Sequence, residues 1–257
     1  MPEGDTLHNI ASRLRPALEG RPLTEASFSR LRGMDRLKVG EVVARVESRG
    51  KWLEIEVERG RVLRTHLEMN GAWHLYRPGE RWRRPRHLAR AVLATAVGTA
   101  VCFAAPVVAV GHRGDGALDH LGPDLCRPPV DIDEILHRIE AWADDRAVIG
   151  DVLLDQRLAA GIGNVYKCEA LFACGVDPFA PLDTVPPAAR RALYETAAAQ
   201  LQANLGRSRR ATAGDGLAVY GRDRQGCRVC GTGIRTRSGG AQGRTSWWCP
   251  RCQPAAE

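Results

Sequence analysis

Four cysteines near the end of the chain are grouped as two C-x-x-C pairs. Cys227 and Cys230 form the first pair, Cys249 and Cys252 form the second, and 18 residues lie between the pairs. This spacing is typical of a zinc site made of four thiolates, because each tight turn supplies two sulfurs to a tetrahedral ion. Two disulfides are the alternative, and they are disfavoured because the first residues do not resemble a secretory signal. We therefore predict one structural Zn²⁺ ion, since four thiolates leave no coordination position for a substrate.

The chain begins MPEG, which places a proline directly after the initiator methionine. Removal of Met1 would leave Pro2 as a secondary amine, and this residue is then either part of a frayed terminus or a nucleophile. An α-amino group has an ordinary pKa of about 8, compared with about 10.4 for lysine, so more of it is unprotonated at neutral pH. A secondary amine also gives an iminium that cannot lose a proton to become neutral. Such a fixed positive charge is an electron sink for covalent catalysis.

The stretch LAAGIGNVYKCEALF, residues 158–172, contains a turn with two glycines followed by Asn164. We predict that one helix ends at Gly161, that a tight turn follows, and that Asn164 begins the next helix. Asn164 is then either a simple N-cap or part of an anion site, because free N–H groups at a helix start attract phosphate. Two helices joined by a tight turn are also a known way to contact a DNA backbone.

The first half of the chain combines one helix with strands. Residues 4–18 carry an apolar stripe at helical spacing, and residues 42–60 alternate between apolar and polar side chains, as strands do. The uncharged run 91–110 is long enough for a membrane span. Its β-branched residues, together with Gly98 and Pro106, favour buried strands instead. We expect no membrane segment.

The second half is predicted to be helical. A Pro-rich stretch at residues 122–131 is interpreted as a linker. Apolar residues from Ile132 to Trp142 then follow a 3.6-residue period, and further helices are predicted at residues 148–160, 164–174 and 187–205.

The positive charge is concentrated near the end of the chain. The net charge is +7, and from Arg207 onward there are ten arginines, no lysine and three acids. The preceding residues are therefore neutral as a group. A neutral body with a basic end favours a polyanionic partner, nucleic acid first, and a solvated basic tail is the alternative.

Five sequence elements, in this order, resemble the formamidopyrimidine-DNA glycosylase / endonuclease VIII family. They are MPEG at the start, GK at 50–51, HLGPDL at 120–125, GIGNVY at 161–166 and GRTSWWCPRCQ at 243–253. The resemblance covers nearly the whole chain and implies an α+β fold with three domains. These domains are an N-terminal helix plus β-sandwich at residues 1–122, a helical domain with a helix-two-turn-helix at 123–220, and a C-terminal zinc ribbon at 221–257.

The resemblance also implies a bifunctional DNA glycosylase and AP lyase of base excision repair. A base inside a duplex must be flipped out before its sugar can be attacked. Pro2 is then implied to be the nucleophile that forms a Schiff base, Glu3 the acid/base on the opened sugar, and Lys51 the lysine that assists at the ring oxygen. The strand is nicked by β,δ-elimination.

The DNA-binding residues are likewise implied by the resemblance. Asn164 and Arg244 match phosphate binders, and Met69 in HLEMNG matches the residue that fills the space left by the flipped base. The purine-specific branch has an Arg-Phe-Gly tripeptide for which this chain offers only Arg113, and its loop before VYGR is longer. The family's second glutamate is replaced by Thr6.

These departures favour the endonuclease VIII branch and oxidised pyrimidines as substrates. The alternatives are a purine-type (formamidopyrimidine/8-oxoguanine) glycosylase and a non-catalytic zinc-ribbon DNA-binding protein. We further expect a monomer without an organic cofactor that binds damaged DNA, double-stranded or single-stranded. We expect its location to be the cytoplasm, in association with the nucleoid.

Overall fold

The computed structural model divides the chain into two compact units, residues 1–120 and 121–257. It describes residues 2–29, 31, 35–141, 147–239 and 243–255. Trp142, which the sequence assigned to a helix face, lies outside the described residues. The three-domain boundaries at residues 122 and 220 stay predictions.

The described residues of the first unit form one α-helix and eight strands, which are arranged in two antiparallel sheets. Helix α1 spans Gly4–Leu18, and the strands are β1 (Glu25–Phe28), β2 (Val43–Arg49), β3 (Trp52–Val57), β4 (Arg61–His66), β5 (Ala72–Tyr76), β6 (Ala89–Ala94), β7 (Thr99–Phe103) and β8 (Val107–His112). One sheet has the order β1-β6-β7-β5 and the other β2-β3-β4-β8. Neighbouring strands are antiparallel throughout.

The apolar stripe of α1 lies in the core of this unit, as the sequence predicted. Leu7 and Leu14 are buried together with Ile55 of one sheet and Leu93 of the other. The uncharged run 91–110 forms parts of β6, β7 and β8. Burial of this run between the two sheets therefore accounts for its lack of charge. Within the part of the chain that the structure describes, no helix is both long enough and apolar enough to cross a membrane.

The described residues of the second unit form four α-helices followed by a two-stranded hairpin. The helices are α2 (Ile132–Glu140), α3 (Ile149–Val152), α4 (Asn164–Ala173) and α5 (Pro187–Ala203), and the hairpin consists of β9 (Arg235–Gly239) and β10 (Arg244–Trp248). Helices α2, α4 and α5 confirm predicted helices. The hairpin and its cysteines pack with Cys168 of α4 in a small core, in which Ile234 and Val219 are buried.

The predicted helix at 148–160 is wrong beyond its first turn. Helix α3 ends at Val152 and the chain continues in turns to Gly163. The Gln156 side chain stabilises this path, because its Nε2 donates to the Ile162 carbonyl (3.0 Å) and its Oε1 accepts the Gly161 N–H (3.0 Å). Stretch 122–131, interpreted as a linker, is also partly packed: the Leu125 N–H donates to the Ala160 carbonyl at 3.0 Å.

Candidate active site and nucleic-acid interface

The beginning of α1 holds the first candidate catalytic residues in a fixed geometry. Glu3 is the N-cap in extended conformation and is completely buried. Its backbone N–H donates to Thr6 Oγ1 at 3.4 Å, and the Thr6 N–H donates to Asp5 Oδ1 at 2.7 Å. Thr6 therefore has a capping role at the helix start.

Pro2 lines a pocket of about 560 Å³ between the start of α1 and strand β5. Arg13, His74 and Arg83 also line this pocket. Burial lowers the pKa of His74, and the positive charges of Arg84, Arg83 and Arg13 lower it further. The pocket is therefore electropositive, which suits a phosphate-bearing ligand.

Lys51 lies in the tight turn between β2 and β3. Gly50 and Lys51 form a two-residue loop, because Arg49 pairs with Trp52. Gly50 has a φ of +56°, the positive value that the first position of a type II′ hairpin turn requires. This turn fixes the Lys51 backbone at the end of the sheet.

His66, which the sequence interpretation did not single out, lies next to Lys51. Burial lowers the pKa of His66, and the charge of Lys51 lowers it further. The His66 ring centroid is 5.0 Å from that of Trp52, with which His66 is paired across β3 and β4. The only available signal in the sequence was its position three residues before Met69.

Met69 is 57% exposed on the turn between β4 and β5. The turn is tight, since a Cβ on Gly71 would lie only 2.6 Å from the Leu67 carbonyl oxygen. An exposed methionine on a rigid turn can enter a partner molecule. Arg113, the other candidate near the missing tripeptide, is held by an ion pair with Glu56.

The structure brings Asn164 to the strand that carries Arg244. The N-cap of α4 is Gly163, so Asn164 is the first helical residue and not the cap itself. Its Nδ2 donates to the Thr245 carbonyl at 2.8 Å, and Thr245 directly follows Arg244 in β10. Asn164 is buried, and its Oδ1 has no hydrogen-bond partner within the described residues.

Helix α4 also contains two buried charged residues that sequence reasoning missed. Lys167 Nζ donates to Ser246 Oγ at 2.9 Å and thus holds the same strand, β10. Glu169 accepts hydrogen bonds from three consecutive backbone N–H groups, those of residues 218–220, at 2.7–2.9 Å. It also accepts from the Thr212 hydroxyl. The carboxylate therefore holds the loop that precedes the cysteine-rich segment.

The four predicted zinc ligands lie together. All four Sγ atoms are within 4.8 Å of one another, with 3.8 Å between Cys227 and Cys252 and 3.4 Å between Cys230 and Cys249. A tetrahedral ion with Zn–S bonds of about 2.3 Å would separate the sulfurs by about 3.8 Å. A disulfide would need about 2.05 Å. The donor set and its spacing therefore fit a structural zinc ion.

Comparison with known proteins identifies the family. The formamidopyrimidine-DNA glycosylase N-terminal domain matches residues 1–106, and the formamidopyrimidine-DNA glycosylase H2TH domain matches residues 121–213. A probable endonuclease 8 2 of Streptomyces coelicolor is 41% identical over 98% of this chain and 94% of its own length. The chain belongs to the formamidopyrimidine-DNA glycosylase family.

Among the other relatives of this chain, one is named as a lyase and another as a glycosylase. The DNA-(apurinic or apyrimidinic site) lyase Nei2 of Mycolicibacterium smegmatis is 39% identical over the full length of both chains. A formamidopyrimidine-DNA glycosylase of Rhizorhabdus wittichii is 32% identical over 98% of this chain and all of its own. The crystal structure of the MutM (Fpg) protein of Thermus thermophilus covers both chains completely, with a TM-score of 0.82 and 28% identity. These matches confirm the resemblance and the predicted fold class.

Proposed function

We propose that this protein is a bifunctional DNA glycosylase and AP lyase of base excision repair. The observation that supports this most strongly is the position of Pro2 in an electropositive pocket, directly before the buried Glu3. The names of the full-length relatives, endonuclease 8 and DNA-(apurinic or apyrimidinic site) lyase, agree with it.

The chemistry begins at the Pro2 nitrogen after removal of Met1. The amine forms a bond to C1′ of the flipped nucleotide while the glycosidic bond breaks and the base leaves. Lys51 assists at the sugar ring oxygen, which takes up a proton as the ring opens and the iminium forms. Glu3 carries protons to and from the opened sugar. The positive iminium acidifies the C2′ proton, so that loss of this proton expels the 3′ phosphate, and a second elimination expels the 5′ phosphate.

DNA is held by residues outside this pocket. Asn164 and Arg244 bind backbone phosphates, and Met69 occupies the space that the flipped base leaves. Support comes from the bond between Asn164 and the strand of Arg244, and from the exposure of Met69 on a rigid turn. A Zn²⁺ ion bound by the four cysteines would supply a structural cross-link that keeps the β9–β10 hairpin folded.

The proposed substrates are oxidised pyrimidines. The pairing of Arg113 with Glu56 supports this, because the arginine that purine-specific relatives are expected to place against the opposite cytosine is engaged elsewhere. We further propose a monomer that acts in the cytoplasm on the nucleoid, on double-stranded or single-stranded DNA. A purine-type glycosylase is the second candidate, favoured by the name of the 32% identical relative.

The decisive experiment traps the covalent intermediate. The full chain, with removal of Met1 verified by mass, is incubated with DNA containing thymine glycol or one abasic site, and borohydride is added. The adduct is digested and the modified residue is located by mass spectrometry. We expect modification at Pro2 and slower strand nicking in Pro2→Ala, because a primary amine gives an imine that can lose its proton and with it the positive charge.

The control variant is Pro16→Ala, the same chemical change at an exposed position of the same helix. It should form the adduct at the wild-type rate. An adduct mapped to another residue would refute the assignment of Pro2, and no adduct at all would favour a non-catalytic DNA-binding protein. Excision of 8-oxoguanine opposite cytosine in preference to thymine glycol would establish the purine-type candidate.

A further inference from the structure

The connection between β5 and β6 carries a second concentration of positive charge. Residues 77–90, which we call the arginine segment, contain six arginines (Arg77, Arg81, Arg83, Arg84, Arg86 and Arg90) and a single acid, Glu80. The first unit contains 20 basic and 14 acidic residues, a surplus of six positive charges. The arginine segment supplies five of these six and is the most basic part of the unit.

The arginine segment is held in place by aromatic side chains beneath it. The Arg83 guanidinium lies 5.6 Å above the Tyr76 ring and that of Arg86 lies 4.8 Å above the Trp82 ring. Trp82 itself packs edge-on against Phe103, with ring centroids 5.7 Å apart. The Arg83 N–H donates to the Tyr76 hydroxyl at 3.1 Å. Guanidinium groups fixed in this way are pre-organised for phosphate, because little of their rotamer freedom remains to be lost.

None of these six guanidinium groups forms an ion pair with a carboxylate of the described residues. The other sheet of the same unit is different. There Arg64 donates to Glu54 and to Asp115, each at 2.7 Å, and Arg61 is paired with Glu41. The positive charge of the arginine segment is thus not neutralised within the fold, whereas that of the neighbouring sheet is.

The arginine segment is continuous with the pocket of Pro2. Arg83 lines that pocket, and Arg83 and Arg84 both lower the pKa of His74 on its wall. In the other direction the arginine segment borders a groove of about 270 Å³ that is lined by Trp82, Arg86 and Phe28, among others. A positively charged path that includes aromatic side chains is typical of surfaces that follow a nucleic-acid strand.

We propose that the arginine segment binds the phosphates of the DNA strand that flanks the lesion. This proposal rests on the proposed function, because a lesion held at Pro2 delivers its flanking nucleotides to the adjoining surface. DNA is favoured over an acidic protein partner because the charges follow each other at short intervals and merge with the pocket of Pro2. The arginine segment would increase the number of nucleotides that the first unit contacts, and it would add affinity for DNA that does not depend on base sequence.

The test is the salt dependence of DNA binding by the full, zinc-loaded chain. The variant carries Arg77→Ala, Arg81→Ala and Arg86→Ala, and leaves Arg83 in the pocket of Pro2 unchanged. The control carries Arg36→Ala, Arg45→Ala and Arg59→Ala, exposed arginines of the same unit that lie outside the arginine segment. It removes the same amount of charge. Melting temperatures establish that both are folded.

Binding is measured by fluorescence anisotropy on a duplex with a central, non-reactive abasic analogue, and on a truncated duplex that keeps only the nucleotides next to the lesion. Three lost phosphate contacts should reduce the slope of log K against log salt by about 2.7. Between about 50 and 200 mM salt, wild-type affinity for the long duplex should therefore fall about 40-fold more than that of the variant. The control should keep the wild-type slope.

Equal slopes for wild type and variant on the long duplex would overturn the proposal, as would equal loss in variant and control. Wild-type affinity that is unchanged by truncation of the duplex would overturn it as well. The proposed function is judged separately by borohydride trapping of the wild type on a truncated duplex that contains a reactive abasic site. Absence of an adduct there would refute the Pro2 chemistry, whereas the binding measurements would still decide whether the arginine segment contacts DNA.

Discussion

Replacing Glu169 with glutamine should destabilise the second unit far more than its small chemical change suggests. The carboxylate is buried and accepts the N–H groups of Ala218 (2.7 Å), Val219 (2.9 Å) and Tyr220 (2.8 Å). Oε1 accepts the last two, while Oε2 accepts the Ala218 N–H and the Thr212 hydroxyl. In Glu169→Gln one oxygen becomes an NH₂ group, so at least one of these backbone N–H groups faces a donor.

The expected cost follows from these contacts. A buried N–H without an acceptor costs about 1–3 kcal/mol. Hydrogen bonds to a charged acceptor contribute about 1.5–3 kcal/mol, compared with about 1 kcal/mol for neutral pairs, so the remaining bonds are weakened as well. We expect a loss of about 3–5 kcal/mol. For a chain of this size this corresponds to a decrease in melting temperature of about 10 °C.

The assay combines thermal unfolding of the zinc-loaded chain with hydrogen exchange. Exchange should accelerate at the amides of residues 218–220, because these are the groups that the carboxylate holds. The control is Glu195→Gln on α5, whose side chain is half exposed, and we expect it to change stability by less than about 0.5 kcal/mol. A wild-type melting temperature for Glu169→Gln, with unchanged exchange at these amides, would refute the reasoning.

Three further predictions concern the remaining candidate residues. Chelation of zinc, or Cys249→Ser, should unfold the β9–β10 hairpin and abolish stoichiometric zinc in metal analysis, because this segment has little core of its own. The pKa of His66 is held below its ordinary value of about 6.5. Just below pH 6.5 the unfolded state therefore binds more protons than the folded state, and the free energy of unfolding should decrease as the pH falls below 6.5. In urea unfolding measured at several pH values, His66→Gln should make this decrease smaller. Lys51→Met should raise the pKa of His66 in an NMR titration, and an unchanged pKa would contradict the proximity of Lys51 and His66. Asn164→Ala should weaken binding of an abasic-site duplex about 10- to 100-fold, and a variant with wild-type affinity would remove Asn164 from the phosphate-binding residues.

Local periodicity explains which elements could be predicted from the sequence. The apolar stripe of α1 and the alternation in β3 depend only on neighbours along the chain, and both were predicted and observed. The wrong helix at 148–160 had a suitable apolar pattern as well. Its path is determined by the side chain of Gln156, which bonds to the backbone of residues beyond the turn, and an apolar pattern contains no information about such bonds.

The candidate site was only partly predictable for the same reason. The spacing of the cysteines is a local signal that indicates a metal, and the structure brings their sulfurs together. The bond between Asn164 and the Thr245 carbonyl joins residues 81 positions apart, and no pattern along the chain indicates it. Lys167 and Glu169 were missed because a charged residue on a helix is normally assigned to the solvent-exposed face.

The net charge of a region does not show where its charges lie or which of them have partners. The residues before Arg207 are neutral as a group, which suggested that only the end of the chain attracts nucleic acid. Neutrality of the sum says nothing about whether each charge has a partner. Arg64 is buried between two carboxylates, so its charge is largely cancelled at a distance. The guanidinium groups of Arg83 and Arg86 rest on aromatic rings instead, which hold them in place without cancelling their charge. A polyanion approaching the first unit therefore meets the field of the arginine segment, which supplies five of the surplus of six positive charges that this unit carries.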